Sequence, residues 1–388
     1  MQNKGLSQQE IKQELGNLLK HDLSFTHGTI LGSMCTMPHQ FAQEIFTTYI
    51  DKNVGDPGLF PATAELENHT IALLGDMLSN RAAAGFVLTG GSEANILALW
   101  TAKQLYRSRG KRVLIPESAH FCFDKAASLL DLEIKKIKLT KGYTVDVSDL
   151  EKQMTPNTIA LVGIAGTTAL GVVDPIAELS CIAQKYDLYL HVDAAFGGFV
   201  LPFLNRIGKT SIPFDFSLPG VSSITIDPHK MGMSVIPSGG ILYRSDQLAS
   251  AVKVFVPYLS GGEAAQGTIV GTRSGASVLA TWALLKHLGR EGYTDVVKRC
   301  MELTDYLAQA VKQIDELFLL TEPVLNIIGI ASHSASIQTL ARRLREKGWA
   351  VSLFKTHIRI VLMPHLERQH IEKFILHLKQ TVRELKNK

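Results

Sequence analysis

The sequence predicts an α/β protein built on a mostly parallel β-sheet, followed by a smaller α+β domain. Three observations carry this expectation. Short apolar, strand-like runs alternate with longer helical stretches from about residue 63 to residue 254. The chemically conspicuous residues stand where those runs end, which is where open parallel sheets place their sites. At 388 residues the chain is long for one compact core, so one large and one small domain are expected.

The elements follow in order. Ser7 and Glu10 form a capping box, and Ile11, Leu15, Leu18 and Leu19 repeat behind it at helical spacing. Such a short amphipathic helix must pack on something, and a partner subunit is a natural candidate. Residues 24 to 62 are rich in Gly, Pro, Thr and Met and read as an ordered irregular segment. Strands are expected at 85–89, 112–116, 133–138, 158–164, 188–192, 222–227 and 239–243, seven in all. Helices are expected at 63–79, 92–108, 119–131, 174–186 and 246–254. A Gly/Ala-rich loop, Ser260–Gly267, precedes a long helical region over 275–315. The tail reads as strand 324–330, helix 334–347, strands 349–353 and 358–362, and helix 367–385. The expected division is an N-terminal helix and arm over 1–60, a large domain over 61–285 and a small one over 286–388.

Composition narrows the function classes. Hydrophobic residues make up 46% and charged residues 20%, as in an ordinary globular protein. The net charge of +4 is small and dispersed, and no basic cluster is interleaved with aromatics, so nucleic-acid binding is not expected. The N-terminus is polar, unlike a secretory signal, and no apolar run approaches the ~20 residues that span a bilayer. Cys35, Cys122, Cys181 and Cys300 form no C-x-x-C pair. They read as reduced thiols in a cytoplasmic protein, and no metal site is expected.

Two strand ends point to one chemistry. The run Ser223-Ile-Thr-Ile-Asp-Pro-His-Lys230 delivers a lysine beside a histidine, and Leu190-His-Val-Asp-Ala-Ala195 delivers an aspartate beside two alanines. Pyridoxal 5'-phosphate (PLP) needs both. A lysine holds its aldehyde as a Schiff base, and a carboxylate keeps its pyridine nitrogen protonated so that the ring can draw in electrons. Desolvation at such a strand end is expected to lower the proton affinity of Lys230, which suits imine formation. Ala194 and Ala195 leave space for a flat ring. The plain alternatives are a solvated turn lysine and a structural salt bridge at Asp193.

Other segments fit the same cofactor. Thr89-Gly-Gly-Ser-Glu-Ala-Asn95 opens a helix after a strand. Its glycines admit an anion, and Ser92 and the helix N-terminus offer donors. A capped βα turn is the ordinary alternative, and no G-K-[ST] follows. His120, in Glu117-Ser-Ala-His-Phe, could stack a neutral imidazole on a pyridine ring or simply be a satisfied surface histidine. Gly166-Thr-Thr-Ala-Leu-Gly171 ends a strand with hydroxyls from Thr167 and Thr168. Arg359, between Ile358 and Ile360, suits a bidentate clamp on a substrate carboxylate, or else faces water from a strand edge.

Taken in order, T-G-G-S-E-A-N, S-A-H-F, G-T-T, H-V-D-A-A-F-G-G, D-P-H-K and G-T-R resemble the group II PLP-dependent amino-acid decarboxylases from end to end. Within them the chain is most similar to the archaeal tyrosine/aspartate decarboxylases, which share its G-D-P-G-L-F, I-D-P-H-K-M-G and R-I-V-L-M-P-H blocks. The resemblance implies the aspartate aminotransferase-like PLP-dependent transferase fold. It implies Lys230 as the cofactor's lysine, Asp193 as the partner of the ring nitrogen and His120 as the stacking histidine. Gly91, Ser92 and His229 would bind phosphate, and Thr168 and Ala195 would contact the cofactor. It further implies a homodimer with sites at the interface, where Gly271 and Thr272 reach the neighbour's cofactor phosphate. Tyr258 lies on a loop whose tyrosine would protonate the product.

The expected activity is decarboxylation of L-tyrosine to tyramine, L-aspartate to β-alanine, or both, feeding methanofuran or coenzyme A biosynthesis. Tyrosine stands slightly ahead, because the loop at 259–270 carries Glu263 and no basic residue to meet a side-chain carboxylate. The runners-up are a carbon–carbon lyase resembling sphingosine-phosphate lyase, a glutamate decarboxylase and an aminotransferase. A catalytically silent PLP-binding protein is opposed by the intact Lys230, Asp193 and His120.

Overall fold

A computed structural model describes residues 1–262 and 264–386. Glu263, the acidic residue of the 259–270 loop, lies outside the described residues. The chain opens with α1 (Gln8–Leu19), started by the expected capping box. The Ser7 backbone N–H donates to Glu10 Oε2 at 2.8 Å, and the Glu10 N–H donates to Ser7 Oγ at 3.2 Å. None of its residues is buried, and Leu18 is 66% exposed, so its apolar stripe has no partner in this chain.

The 24–62 segment is not wholly irregular. It contains α2 (Gln40–Thr48), which packs on the long helix α9 (Gly275–Lys312) and is capped by a histidine: the Phe41 N–H donates to His39 Nδ1 at 3.2 Å. Histidine is not a usual cap signal, so this helix start was hidden in the sequence. Next comes α3 (Pro61–Met77), with proline at its first position, where the missing N–H costs nothing.

The large domain is built on β1 (Ala84–Leu88), β2 (Arg112–Pro116), β3 (Glu133–Ile137), β4 (Thr158–Ile164), β5 (Tyr189–Asp193), β6 (Val221–Ile226) and β7 (Gly239–Tyr243). They form one seven-stranded sheet in the order β1-β7-β6-β5-β4-β2-β3. All seven expected strands are present. Only β7 runs antiparallel to its neighbours. The link from β6 to β7 holds no helix, and a parallel crossover needs a dozen or more residues, usually with one. All seven residues of β4 are buried, as a strand covered on both faces requires.

Around the sheet lie α4 (Gly91–Leu105), α5 (Cys122–Leu130), α6 (Val147–Gln153), α7 (Ile176–Tyr186) and α8 (Asp246–Ser250). One apolar core joins α4 and α5 to one face of the sheet through Leu97, Ala98, Phe123, Val113 and Ile115. The other joins α3, α7 and the first part of α9 to the opposite face through Leu74, Leu179, Leu161, Leu190 and Leu284. The helix expected at 246–254 stops at Ser250, because Val254–Val256 (β8) pairs with Ala264–Gln266 (β9) as a two-stranded hairpin. α9 (Gly275–Lys312) is two helices joined at Gly289, whose φ of 56° and ψ of −166° break the helical path.

The small domain places β10 (Leu317–Leu319), β11 (Ile327–Ser332), β12 (Ser352–Leu353) and β13 (Ile358–Val361) in an antiparallel sheet ordered β10-β11-β13-β12. α10 (Ile337–Glu346) and α11 (Arg368–Lys386) share its core through Leu340, Leu344, Phe374 and Leu378.

A buried ion pair fastens α3, β1 and the approach to α9. Arg273 Nη2 donates to Glu67 Oε2 at 3.0 Å, Arg273 Nη1 donates to Glu67 Oε1 and to Val87 O, and the Val87 N–H donates to Glu67 Oε1 at 2.9 Å. Both side chains are about nine-tenths buried. Arg273→Met is expected to cost about 3–5 kcal/mol, because Glu67 is left charged and unpaired. Adding Glu67→Gln should recover part of that loss. Urea unfolding midpoints of the two variants test this, and a double variant less stable than the single one would refute it.

Candidate active site

The ladder between β4, β5 and β6 sets Ile164 beside Asp193 and Asp193 beside Thr225. Three strands therefore end in line. Above them opens a cavity of ≈ 330 Å³. Eight residues anticipated from the sequence line it: Gly91, Ser92, His120, Thr168, Asp193, Ala195, His229 and Lys230.

The anion end is the start of α4. The first N–H to find an acceptor inside the helix is that of Ala94, bonded to Gly90 O, so those of Gly91, Ser92 and Glu93 are not used within it. Gly91 is required by space. A Cβ there would lie 2.8 Å from Asp227 Oδ2 and 3.1 Å from Ala195 Cβ. Glu93 turns back on the strand end, accepting from the Thr89 N–H at 2.9 Å and the Thr89 hydroxyl at 2.7 Å.

Asp193, 7% exposed, is a second acidic group of the cavity wall beside Asp227. Its Oδ1 accepts from the Ala195 N–H at 3.1 Å and its Oδ2 from Asn95 Nδ2 at 2.9 Å. Asn95 is a contributor that the sequence reading passed over, although it closes the T-G-G-S-E-A-N block.

Lys230 follows β6 in a tight turn, where its N–H donates to Asp227 O at 3.0 Å. Its Nζ lies 3.3 Å from Asp227 Oδ2. Here the structure corrects the sequence argument. Burial does press the lysine's proton affinity down, but Asp227 and then Asp193 outweigh it and hold the amine above its ordinary pKa. Among the protein's own groups, Lys230 is a charged amine paired with a carboxylate.

The two cavity histidines are neutral. Burial lowers His120 against the pull of Asp193, and it lowers His229 against the pull of Asp227. His120 Nδ1 accepts from the Cys122 N–H at 3.3 Å, so the ring's proton sits on Nε2.

The residues present fit PLP. Among the described residues, seven buried side-chain polar atoms have no hydrogen-bond partner, and four of them belong to this cavity's walls: Glu93 Oε1, Ser118 Oγ, Asp227 Oδ1 and His229 Nδ1. Such a concentration indicates a polar ligand, because unpaired buried polar atoms are rare elsewhere in folded proteins. Donors at the α4 end suit a phosphate, Asp193 suits a protonated ring nitrogen, and Lys230 suits an aldehyde.

Four anticipated residues do not line this cavity. Tyr258 is 84% exposed in the turn between β8 and β9. Gly271 and Thr272 are also exposed. Arg359 is buried behind the wall: its Nη1 donates to Thr168 O at 2.7 Å, and its Nη2 donates to Gly32 O at 2.6 Å and Ser352 Oγ at 3.0 Å. Burial lowers its pKa to about 10, and its Nε has no partner. Met34, Ser118, Phe196 and Asp227 line the cavity without having been assigned a role from the sequence.

Comparisons with known proteins identify the family. Residues 1–330 match the pyridoxal-dependent decarboxylase conserved domain. The chain is 47% identical over 380 residues to a probable L-aspartate decarboxylase of Pyrococcus abyssi, covering 98% of each. It is 47% identical over 352 residues to a probable L-tyrosine/L-aspartate decarboxylase of Methanothermobacter thermautotrophicus, covering 90% of this chain and 96% of the relative. The fold superposes on sphingosine-1-phosphate lyase of Burkholderia pseudomallei with a TM-score of 0.93 at 27% identity, covering 100% of this chain and 93% of that one. It superposes on glutamate decarboxylase of Lactobacillus brevis with a TM-score of 0.89 at 25% identity, covering 99% and 94%.

The Asp227–Lys230 contact generates a test. Only the neutral amine attacks an aldehyde, so the rate of PLP association should rise with pH as Lys230 loses its proton. Asp227 raises that pKa, so Asp227→Asn should shift the rise to lower pH. Stopped-flow measurement of the visible band of the bound cofactor reads the profile. An unmoved midpoint would mean that Asp227 does not control the amine.

Proposed function

The chain belongs to the pyridoxal-dependent decarboxylase family, and from that premise we propose that it decarboxylates L-aspartate to β-alanine, with L-tyrosine as a second substrate. It is a PLP-dependent amino-acid decarboxylase. The observation that supports the reading best is the single cavity in which Lys230, Asp193, His120 and the α4 N-terminus converge. Bound PLP supplies a sink for the electron pair left when CO2 departs.

The chain's residues supply the rest. Lys230 would hold the aldehyde carbon, and Asp227, 3.3 Å from its Nζ, would steady the amine. Asp193 holds a proton on the ring nitrogen. His120, neutral, would stack on the ring. Ser92, His229 and the free N–H groups of Gly91 and Ser92 receive the phosphate.

Tyr258, Gly271 and Thr272 act, in this reading, on the cavity of a second copy. All three are exposed and off their own chain's cavity wall. Phe255, Leu59 and Ile269 expose apolar surface nearby in sequence or space, as does the stripe of α1. The homodimer would cover these surfaces. The protein is proposed to work in the cytoplasm. Its four cysteines are unpaired, and among the described residues no helix is long and apolar enough to cross a membrane. The product would enter coenzyme A or methanofuran biosynthesis.

Aspartate is placed first because its name is common to both archaeal relatives described above. This reverses the order suggested by the loop at 259–270, which has no basic residue. Among the described residues, Lys230 is the only lysine or arginine lining the cavity. Arg359 has its Nη1 and Nη2 committed to Thr168 O and Gly32 O, which leaves its buried Nε as the donor without a partner. A carbon–carbon lyase is the second reading, favoured by the 0.93 superposition.

Release of CO2 from each of the 20 amino acids decides between these. Aspartate should give the highest kcat/KM. A hundredfold advantage for another amino acid, about 2.7 kcal/mol, would overturn the assignment, and aldehyde release without CO2 would favour the lyase. Borohydride reduction followed by peptide mapping should label Lys230, and a label on another lysine would sink the mechanism.

Tyr258→Phe should lower kcat while leaving KM within about threefold, since its hydroxyl acts after CO2 has left. Mixing Tyr258→Phe chains with inactive Lys230→Ala chains should restore activity, because one site of each hybrid then has both groups. Absence of any restoration in verified hybrids would place Tyr258 outside the neighbour's site.

A further inference from the structure

One face of two central strands is polar where an apolar face is expected. Tyr189, His191 and Asp193 alternate on β5, and Ser223 and Thr225 alternate on β6. The intervening Leu190 and Val192 supply the apolar core of the other face. Asn95 of α4 meets the polar stripe. Asn95, Tyr189, His191, Ser223 and Thr225 are each at most 2% exposed. Burying so many polar groups is costly unless each is hydrogen-bonded, and here they bond to one another.

The bonds have one direction. Asp193, as a carboxylate, only accepts. Asn95 therefore turns its amide nitrogen to Asp193 Oδ2, at 2.9 Å, and its Oδ1 toward the interior. That oxygen can only accept, so Thr225 donates its hydroxyl to it at 2.7 Å and His191 donates from Nε2 at 2.9 Å. Burial lowers the pKa of His191 to about 4, so the ring is neutral and its Nδ1 accepts. Ser223 donates to Nδ1 at 2.8 Å, and the Tyr189 hydroxyl donates to Ser223 Oγ at 2.7 Å. The second N–H of Asn95 points at Cys122 Sγ at 3.3 Å, and burial pushes that thiol up to about 12, so it stays uncharged.

We propose that Asn95 and His191, backed by Ser223 and Tyr189, are positioning residues that aim a one-way chain of hydrogen-bond donors at Asp193 and fix its carboxylate against the cofactor's ring nitrogen. The inference rests on the decarboxylase reading above and deepens it. The chain contributes a row of aligned dipoles without adding charge. It also leaves Asp193 Oδ2 no freedom to rotate away, since Oδ1 is held by the Ala195 N–H. A carboxylate so held favours a protonated ring nitrogen, which is the state that withdraws electrons.

The test uses holoenzyme reconstituted with PLP labelled with 15N in its ring, and reads the nitrogen's protonation by NMR alongside kcat, KM and cofactor Kd. Asn95→Leu and His191→Phe keep approximate volume while cutting the chain. Each should move the ring-nitrogen signal toward the unprotonated position and weaken PLP binding. Each should also lower kcat at least tenfold, with KM within threefold. Ser223→Ala and Tyr189→Phe remove one hydroxyl each and guard against misfolding of the larger changes. They should shift the signal in the same direction with a twofold to fivefold loss of kcat. Asp193→Asn serves as the reference for complete loss. Wild-type signal and kcat in folded Asn95→Leu and His191→Phe would overturn the inference, as would wild-type values in both hydroxyl variants if the larger changes do not fold. The two readings fail separately. If wild-type protein takes up no PLP, the decarboxylase reading fails. If its ring nitrogen is protonated and only Asp193→Asn alters it, the inference alone fails.

Discussion

The register of the parallel ladder between β4, β5 and β6 is the constraint on which the rest of the structure depends. A slip of one residue in β5 would turn Asp193 and His191 to the opposite face and put Leu190 and Val192 in their place. The register is held by the core behind it. Leu161, Leu190, Val192 and Ile224 are fully buried, and a slip in β5 would make Leu190 and Val192 trade places with His191 and Asp193. At about 1.5–3 kcal/mol for each large aliphatic side chain buried, such a trade is prohibitive. Packing on one face thus fixes the chemistry on the other.

Charge within the cavity is balanced by position. Asp193 and Asp227 flank one amine, Lys230, and both histidines stay neutral because burial outweighs the nearby carboxylates. The two acids differ in their partners. Asp193 has both oxygens engaged by N–H donors, whereas Asp227 Oδ1 is unpartnered and its Oδ2 faces Lys230. One carboxylate is locked in place by N–H donors, and the other is paired with the amine and has one oxygen free. Their roles separate for that reason, although each closes a strand of the same sheet.

Much of this was legible in the sequence. Lys230, Asp193, Ser92 and His120 could be read because each stands just beyond a strand, and the strand pattern is local. The stripe of α1 and its capping box were legible on the same ground. The helix α2 was not, since its cap is His39. The hairpin β8–β9 was not, because Ala264 and Ala265 carry little strand signal. The desolvation argument for Lys230 missed Asp227, three residues away, because sequence distance does not say which way a carboxylate points. Asn95 and His191 were visible as letters in their motifs, but their pairing spans 96 residues and exists only once α4 lies over the sheet. Tyr258, Gly271 and Thr272 were assigned by resemblance, and their exposure shows that a single chain does not bring them to its own cavity.

The small domain is more than a cap on the large one. The loop from Gly166 to Gly171, which carries Thr168 into the cavity, is gripped from β13 and its approach. His357 Nε2 lies 3.1 Å from Ala169 O, and Arg359 holds Thr168 O. The loop begins and ends at glycines with positive φ, 110° and 67°. Both places are tight, because a Cβ on either would come within 2.9 Å of Leu325 or Ile327. The same Arg359 ties Gly32, two residues before the cavity residue Met34. One guanidinium therefore couples the small-domain sheet to two separate segments bordering the cavity.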